Sequence, residues 1–189
     1  MSLQRALLLG LCGLSVGCAS DGSLIPTGPP CSVEGVTGAL PGVAISIRAN
    51  KCVFGVGESA VFSYEVVTGA AVPPISVSAS VGCGSCRRYS ADPLSFVDWM
   101  IGGTSRSGIE QQYCLCDTGC CAPDLARTVT VDAKTSAATI SWSGHTWRGP
   151  SDTGQREGAA FLPGNYQVSV GFFGGTTGSV IARLPIEVR

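Results

Sequence analysis

Sulfur is the reactive chemistry this sequence holds in quantity. Ten of its 189 residues are cysteine, and eight of these follow residue 30: Cys31, Cys52, Cys83, Cys86, Cys114, Cys116, Cys120 and Cys121. Three uses are open to them. Four thiolates can surround a zinc ion, and Cys83-Gly84-Ser85-Cys86 with Cys114-Leu115-Cys116 has a spacing suited to it. The Cys83/Cys86 pair could also cycle between dithiol and disulfide, provided a helix began at its first cysteine and lowered its pKa. The third use is cross-linking, which an even count in an exported chain suggests. The compartment decides, because thiolates persist in reducing surroundings and disulfides in oxidising ones.

The N-terminus speaks to the compartment. Met1 to Arg5 is short and carries one cation; Ala6 to Gly17 is an uncharged apolar run. A membrane span needs roughly 20 such residues, so the run has the layout of a secretory signal instead. It ends in Leu14-Ser15-Val16-Gly17-Cys18, which resembles the bacterial lipobox, where small residues precede an invariant cysteine. In that family the thiol receives a diacylglyceryl group, the leader is cut before the cysteine, and the new amine is acylated. The resemblance implies a signal peptide over 1–17, lipid (palmitate) attachment at Cys18, and the membrane as a partner through that lipid. Cys12 suits the pattern less, since bulky Leu11 precedes it. Family members retained in the inner membrane carry aspartate at the second mature place. Ala19 stands there, which implies a bacterial cell-envelope location at the outer membrane.

Export turns the eight later cysteines into disulfide candidates. Their pairing stays open, except that neighbours Cys120 and Cys121 each need a partner elsewhere, because a bond between adjacent residues is strained. No metal or cofactor is expected. No helical apolar stripe begins at Cys83, where Arg87, Arg88 and Tyr89 follow, so a redox role ranks last.

Other chemistry is thinly supplied. The single histidine, His145, lies in Ser143-Gly144-His145-Thr146-Trp147 and is expected in an exposed loop; no G-x-S-x-G elbow accompanies it. The acids Glu58, Glu65, Asp92, Asp98, Glu110, Asp117, Asp124, Asp132, Asp152 and Glu157 are scattered. Asp117-Thr118-Gly119 reads as a turn with aspartate at its first position. The glycine-rich Gly55-Val56-Gly57 and Gly171 to Gly175 precede no helix that could hold phosphate. A formal net charge of −1 with no basic stripe excludes nucleic acid as the expected partner. The chain is therefore expected to be no enzyme. Trp147, Phe161, Phe172 and Phe173 sit near strand ends, where aromatic rings either cover a sandwich or stack on a glycan or protein partner.

The elements that must position these groups read as strands. Ala19 to Pro30, with Gly22, Pro26, Gly28, Pro29 and Pro30, reads as a flexible or extended tether, so 18–30 links the lipid to a domain over 31–189. Period-two alternation then recurs at Val43–Ile47, Phe62–Val66, Ile75–Ala79, Val129–Val131, Ala138–Trp142, Tyr166–Phe172 and Val180–Val188. Pro185 marks an edge or a bulge. Lys134-Thr135-Ser136 is a fit length for a hairpin turn between two of these runs. That is about seven strands, all-β, and one dry face per strand requires a second sheet: an antiparallel β-sandwich. The stretch 83–123 holds six of the eight later cysteines and no long alternation, and reads as a disulfide-rich insertion. Within it, Asp92-Pro93 is expected to cap a helix with Leu94, Val97 and Ile101 on one face, stopped at Gly102-Gly103.

Ser141-Trp142-Ser143-Gly144 followed by Leu162-Pro163-Gly164-Asn165-Tyr166 resembles the C-terminal half of bacterial Ig-like domains, such as the modules of flagellar hook-capping proteins and of BsuPI-type proteinase inhibitors. The resemblance implies an Ig-like sandwich in which Trp142 caps the core, Gly144 and Pro163-Gly164 form tight turns (the latter of type II), and Tyr166 is buried with its hydroxyl bonded. The expectation is a lipid-anchored, non-catalytic structural or binding module with an envelope protein or glycan as partner. A proteinase inhibitor using a disulfide-stapled loop is the alternative.

Overall fold

The computed structural model describes residues 30–35, 40–77, 89–114, 127–147 and 156–189, and these form eleven strands. They are β1 (Cys31–Gly35), β2 (Val43–Ala49), β3 (Val53–Phe54), β4 (Ala60–Thr68), β5 (Ile75–Val77), β6 (Val97–Ser105), β7 (Glu110–Tyr113), β8 (Arg127–Val129), β9 (Thr135–Trp142), β10 (Gly164–Phe173) and β11 (Ser179–Val188). One sheet runs β1-β2-β4-β9; the other runs β3-β11-β10-β6-β7; β5 and β8 pair apart from both. All pairs are antiparallel except β3 with β11.

This is an Ig-like sandwich. β2, β4 and β9 take the places of strands A, B and E, while β6, β10 and β11 take those of C, F and G, with β7 as C′. β1 is added outside A. The chain changes sheets between β2 and β3, so that Val53 and Phe54 run beside Glu187 and Val188. Alternation predicts the inner faces. Ile45, Ile47, Phe62, Val66, Ile140 and Trp142 of one sheet meet Ile101, Val168, Val170, Phe172, Ala182 and Leu184 of the other, each 2% exposed or less. Pro185 lies where the outer side of β11 is open, because β3 covers only Glu187 and Val188.

Three local expectations are corrected. The capped helix is one 3-10 turn, Pro93–Phe96, with Asp92 Oδ1 accepting from the Leu94 N–H at 3.0 Å. Val97 then opens a nine-residue strand that passes through Gly102-Gly103. A side chain at Gly103 would place its Cβ 2.7 Å from the Asn165 carbonyl oxygen, so glycine there admits β10 rather than ending a helix. β6 and β7 thus lie inside 83–123 and belong to the second sheet, whereas the segments holding Cys83, Cys86, Cys116, Cys120 and Cys121 fall outside the described residues. The hairpin at Lys134 does not form: β8 pairs with β5, and β9 pairs with β4. Thr68 instead draws the connection in: its Oγ1 donates to Asp132 O at 2.6 Å and accepts from the Lys134 N–H at 3.3 Å. Finally, Gly164 is not in a type II turn but opens β10. A Cβ there would meet Ser105 Cα at 2.6 Å, so close strand approach explains the glycine.

Gly144 does make the turn expected of it, with φ of +81° and the backbone of Gly57 and Glu58 within 3 Å of where its Cβ would stand. Tyr166 is 3% exposed and its hydroxyl donates to Leu162 O, four residues upstream, at 2.8 Å. That is the tyrosine corner of Ig-like sandwiches. Gln111, 7% exposed, closes the network: its Oε1, 2.8 Å from the same hydroxyl, shares that one proton with Leu162 O and accepts from the Leu162 N–H (2.7 Å), and its Nε2 donates to Ala160 O. Tyr166→Phe should therefore cost about 1–2 kcal/mol, since it removes the one proton that the Leu162 carbonyl and the buried Gln111 Oε1 share. Urea unfolding and faster amide exchange at Leu162 would register the loss.

Candidate binding site

Of the predicted cross-linking residues, the structure brings Cys31 and Cys52 together. Their Cα atoms are 5.8 Å apart and the disulfide joins the first residue of β1 to the β2–β3 connection. Cys114, directly after β7, is also disulfide-bonded. Cys18 and the five remaining candidates lie outside the described residues.

The bond sits beside a groove of about 530 Å³ between the start of β4, the end of β9 and the β2–β3 connection. Asn50, Lys51, Glu58, Tyr113, Ser143 and Glu157 supply its polar lining, over a floor made by Phe54 and Trp142. Lys51 is 8% exposed, a rare state for a cation. Its ammonium is held by a short bond to Glu58 Oε1 and lies 5.3 Å from the centre of the Phe54 ring. The other carboxylate oxygen of Glu58 accepts from the Gly55 N–H at 2.8 Å. These two bonds, that to Lys51 foremost, hold the Glu58 carboxyl below its ordinary value of 4.5.

The sign follows from that direction. A carboxylate with a depressed folded pKa stabilises the fold above its unfolded value and loses this as pH falls through the folded one. Glu58→Gln should weaken the protein at neutral pH by about 1 kcal/mol, a discounted figure because Glu58 keeps a 40% exposed side chain. The gap from the parent should close below pH 4.5. Thermal melts of both proteins across that range would show it.

Across the groove, burial pushes the Tyr113 hydroxyl pKa up, with the Glu157 carboxylate adding to it. Tyr113 is held by rings on both sides, stacked on Trp99 (6.0 Å) and edge-on to Trp147 (6.1 Å), and its hydroxyl donates to Ser141 O. The Ser143 hydroxyl is buried at the groove and has no hydrogen-bond partner among the described residues. The arrangement offers carboxylates, a hydroxyl and strand backbone to a small polar group.

His145 does not stand in an exposed loop. It is half-buried, bridges Ala160, and its Nδ1 lies 3.1 Å from Ser143 O. Among the described residues, no group of three or more His, Cys, Asp or Glu side chains could hold a metal ion. Phe161 and Phe172 are fully buried and Trp147 half-buried, so of the four aromatic candidates only Phe173, 42% exposed, presents a ring to solvent. Sequence reasoning missed Lys51, Tyr113 and Gln111. Nothing in Lys51-Cys52-Val53-Phe54 distinguishes a buried lysine from a solvated one, and the partner Glu58 is seven residues away.

No family model and no curated protein matches the chain. Among solved structures it is similar to a β-glucosidase from Listeria innocua in complex with glucose, at 8% identity and a TM-score of 0.38. The match covers 77% of this chain and 16% of that one, a likeness too loose to carry an argument about activity.

Proposed function

We propose that the chain is a lipid-anchored protein of the bacterial cell envelope, attached through Cys18 to the outer membrane, and that its sandwich serves without catalysis as a structural or binding module. The observation that carries this reading is the Cys31–Cys52 bond. A disulfide suits an exported chain. This one also ties down the residue at which the segment from Cys18 enters the first strand. Tension on the anchor would otherwise peel β1, an edge strand paired only with β2, from its Cys31 end. The bond passes that load to Cys52, whose carbonyl accepts from the Glu187 N–H of the second sheet at 2.8 Å. Two or more acyl chains, at about 0.8 kcal/mol per buried methylene, anchor firmly.

Growth of an expressing bacterium with labelled palmitate tests the reading. The parent chain should take up label and sediment with membranes, and Cys18→Ser should do neither. Equal labelling of the two chains, or a soluble parent, would refute it.

A further inference from the structure

We infer that one end of the sandwich, formed by loops 50–59 and 106–109 and by residues 143–147 and 156–163 of a third loop, docks on the lipid bilayer through Val56, Ile109 and Leu162; the inference rests on the lipid anchor proposed above. Register identifies the end. Cys31 pairs with Ala49, Ala49 with Phe62, and Ala60 with Trp142; in the other sheet Gly164 pairs with both Ser105 and Val188. The first residue of β1 therefore lies at the same end as the three loops.

That end is apolar at its tips and braced. Val56 is 51% exposed, Ile109 52% and Leu162 36%. Arg106 N–H donates to Pro163 O (2.8 Å), Phe161 N–H to Gly144 O (2.9 Å), and Gly144 packs on the backbone of Gly57 and Glu58. The three side chains thus stand on one connected platform rather than on independent loops. At the opposite end the exposed apolar side chains are Phe173, 42% exposed at the end of β10, and Val67, 40% exposed near the end of β4, on different sheets and without such bracing between them among the described residues.

The path of the chain selects the occupant. Thirteen peptide steps separate Cys18 from Cys31, so whatever their conformation the domain stays within about 45 Å of the lipidated residue. Confinement over such a distance gives an effective concentration on the order of millimolar, at which a weak contact is occupied. Three aliphatic tips entering the headgroup–acyl boundary supply such a contact. Charges at this end are mixed. Arg106 and Arg189 both bind Glu187, and Glu58 holds Lys51, so the contact is apolar and tolerates salt.

The test uses the full lipidated chain in phosphatidylcholine vesicles whose acyl chains carry bromine, a contact quencher of tryptophan. Emission is read as the difference from the parent, which already holds Trp99, Trp142 and Trp147. Ile109→Trp and Leu162→Trp should each lose about half of their added emission, and Phe173→Trp should lose none. In the unsubstituted chain, amide exchange over 106–109 should slow on vesicles, a readout that needs no variant to fold. With lipid on Cys18 verified by mass, equal emission from all three variants and unslowed exchange would overturn the docking and leave the anchor standing. A doubled mass in light scattering that shields Ile109 without quenching would assign the surface to a second copy and likewise overturn it. A chain without lipid on Cys18 would defeat both proposals.

Discussion

Trp142→Ala should lower the stability of the protein by about 3–5 kcal/mol, the range for deleting a buried large aromatic ring. Trp142 is 2% exposed and ends β9 at the point where both sheets converge. Its ring meets Phe161 edge-on at 5.0 Å and Phe54 edge-on at 6.0 Å, and lies 6.4 Å from Phe62. Those partners come from β3, β4 and the β9–β10 connection, so the cavity would open at a junction that no single element can collapse to fill. The indole N–H also donates to His145 O at 3.2 Å, which fixes the turn at Gly144. Set against a total of about 5–15 kcal/mol for a domain, the loss should move the melting temperature by on the order of 10 °C. Val67→Ala, on the exposed outer face of β4, should stay within about 0.5 kcal/mol of the parent. Equal effects from the two substitutions in thermal denaturation would contradict the placement of the core.

The second large effect belongs to Cys52→Ser. The bond closes a loop with a sequence separation of 21, which in the chain-entropy account is worth roughly 3 kcal/mol. The serine keeps the backbone link to the second sheet, because the bond from the Glu187 N–H is to the Cys52 carbonyl. Reduction of the parent should reproduce the loss, and the reductant should leave Cys52→Ser with only the change due to the disulfide of Cys114. Urea midpoints with and without reductant measure both. Unchanged parent stability under a reductant that frees Cys31 and Cys52 would contradict it.

How much of this was legible beforehand depends on what each strand buries. β2, β4, β9, β10 and β11 alternate cleanly because each has one face on the core and one in water, and their period was readable. β6 was not, since Trp99, Met100 and Ile101 are apolar in succession and two glycines follow, which imitates the end of a helix. β7 reads Glu-Gln-Gln-Tyr, a polar stretch, yet Gln111 is buried because three partners satisfy its amide. Such satisfaction comes from residues about 50 positions away and leaves no local trace. The same holds for Lys51 in the groove. The pairing of Cys31 with Cys52 was one of several open choices until β1 lay beside β2. Tyr166, by contrast, was legible in its role through the resemblance of Leu162-Pro163-Gly164-Asn165-Tyr166 to Ig-like modules, which implies a buried ring with a bonded hydroxyl.

The central claim is that this chain is exported, oxidised and acylated, and intact mass spectrometry of the protein extracted from its own cells under non-reducing conditions tests it most directly. The account predicts a chain beginning at Cys18, heavier than its sequence by a diacylglyceryl group and a further acyl chain, with Cys31 and Cys52 linked in one non-reduced peptide. A chain beginning at Met1, at sequence mass, with all its thiols open to alkylation, would contradict it.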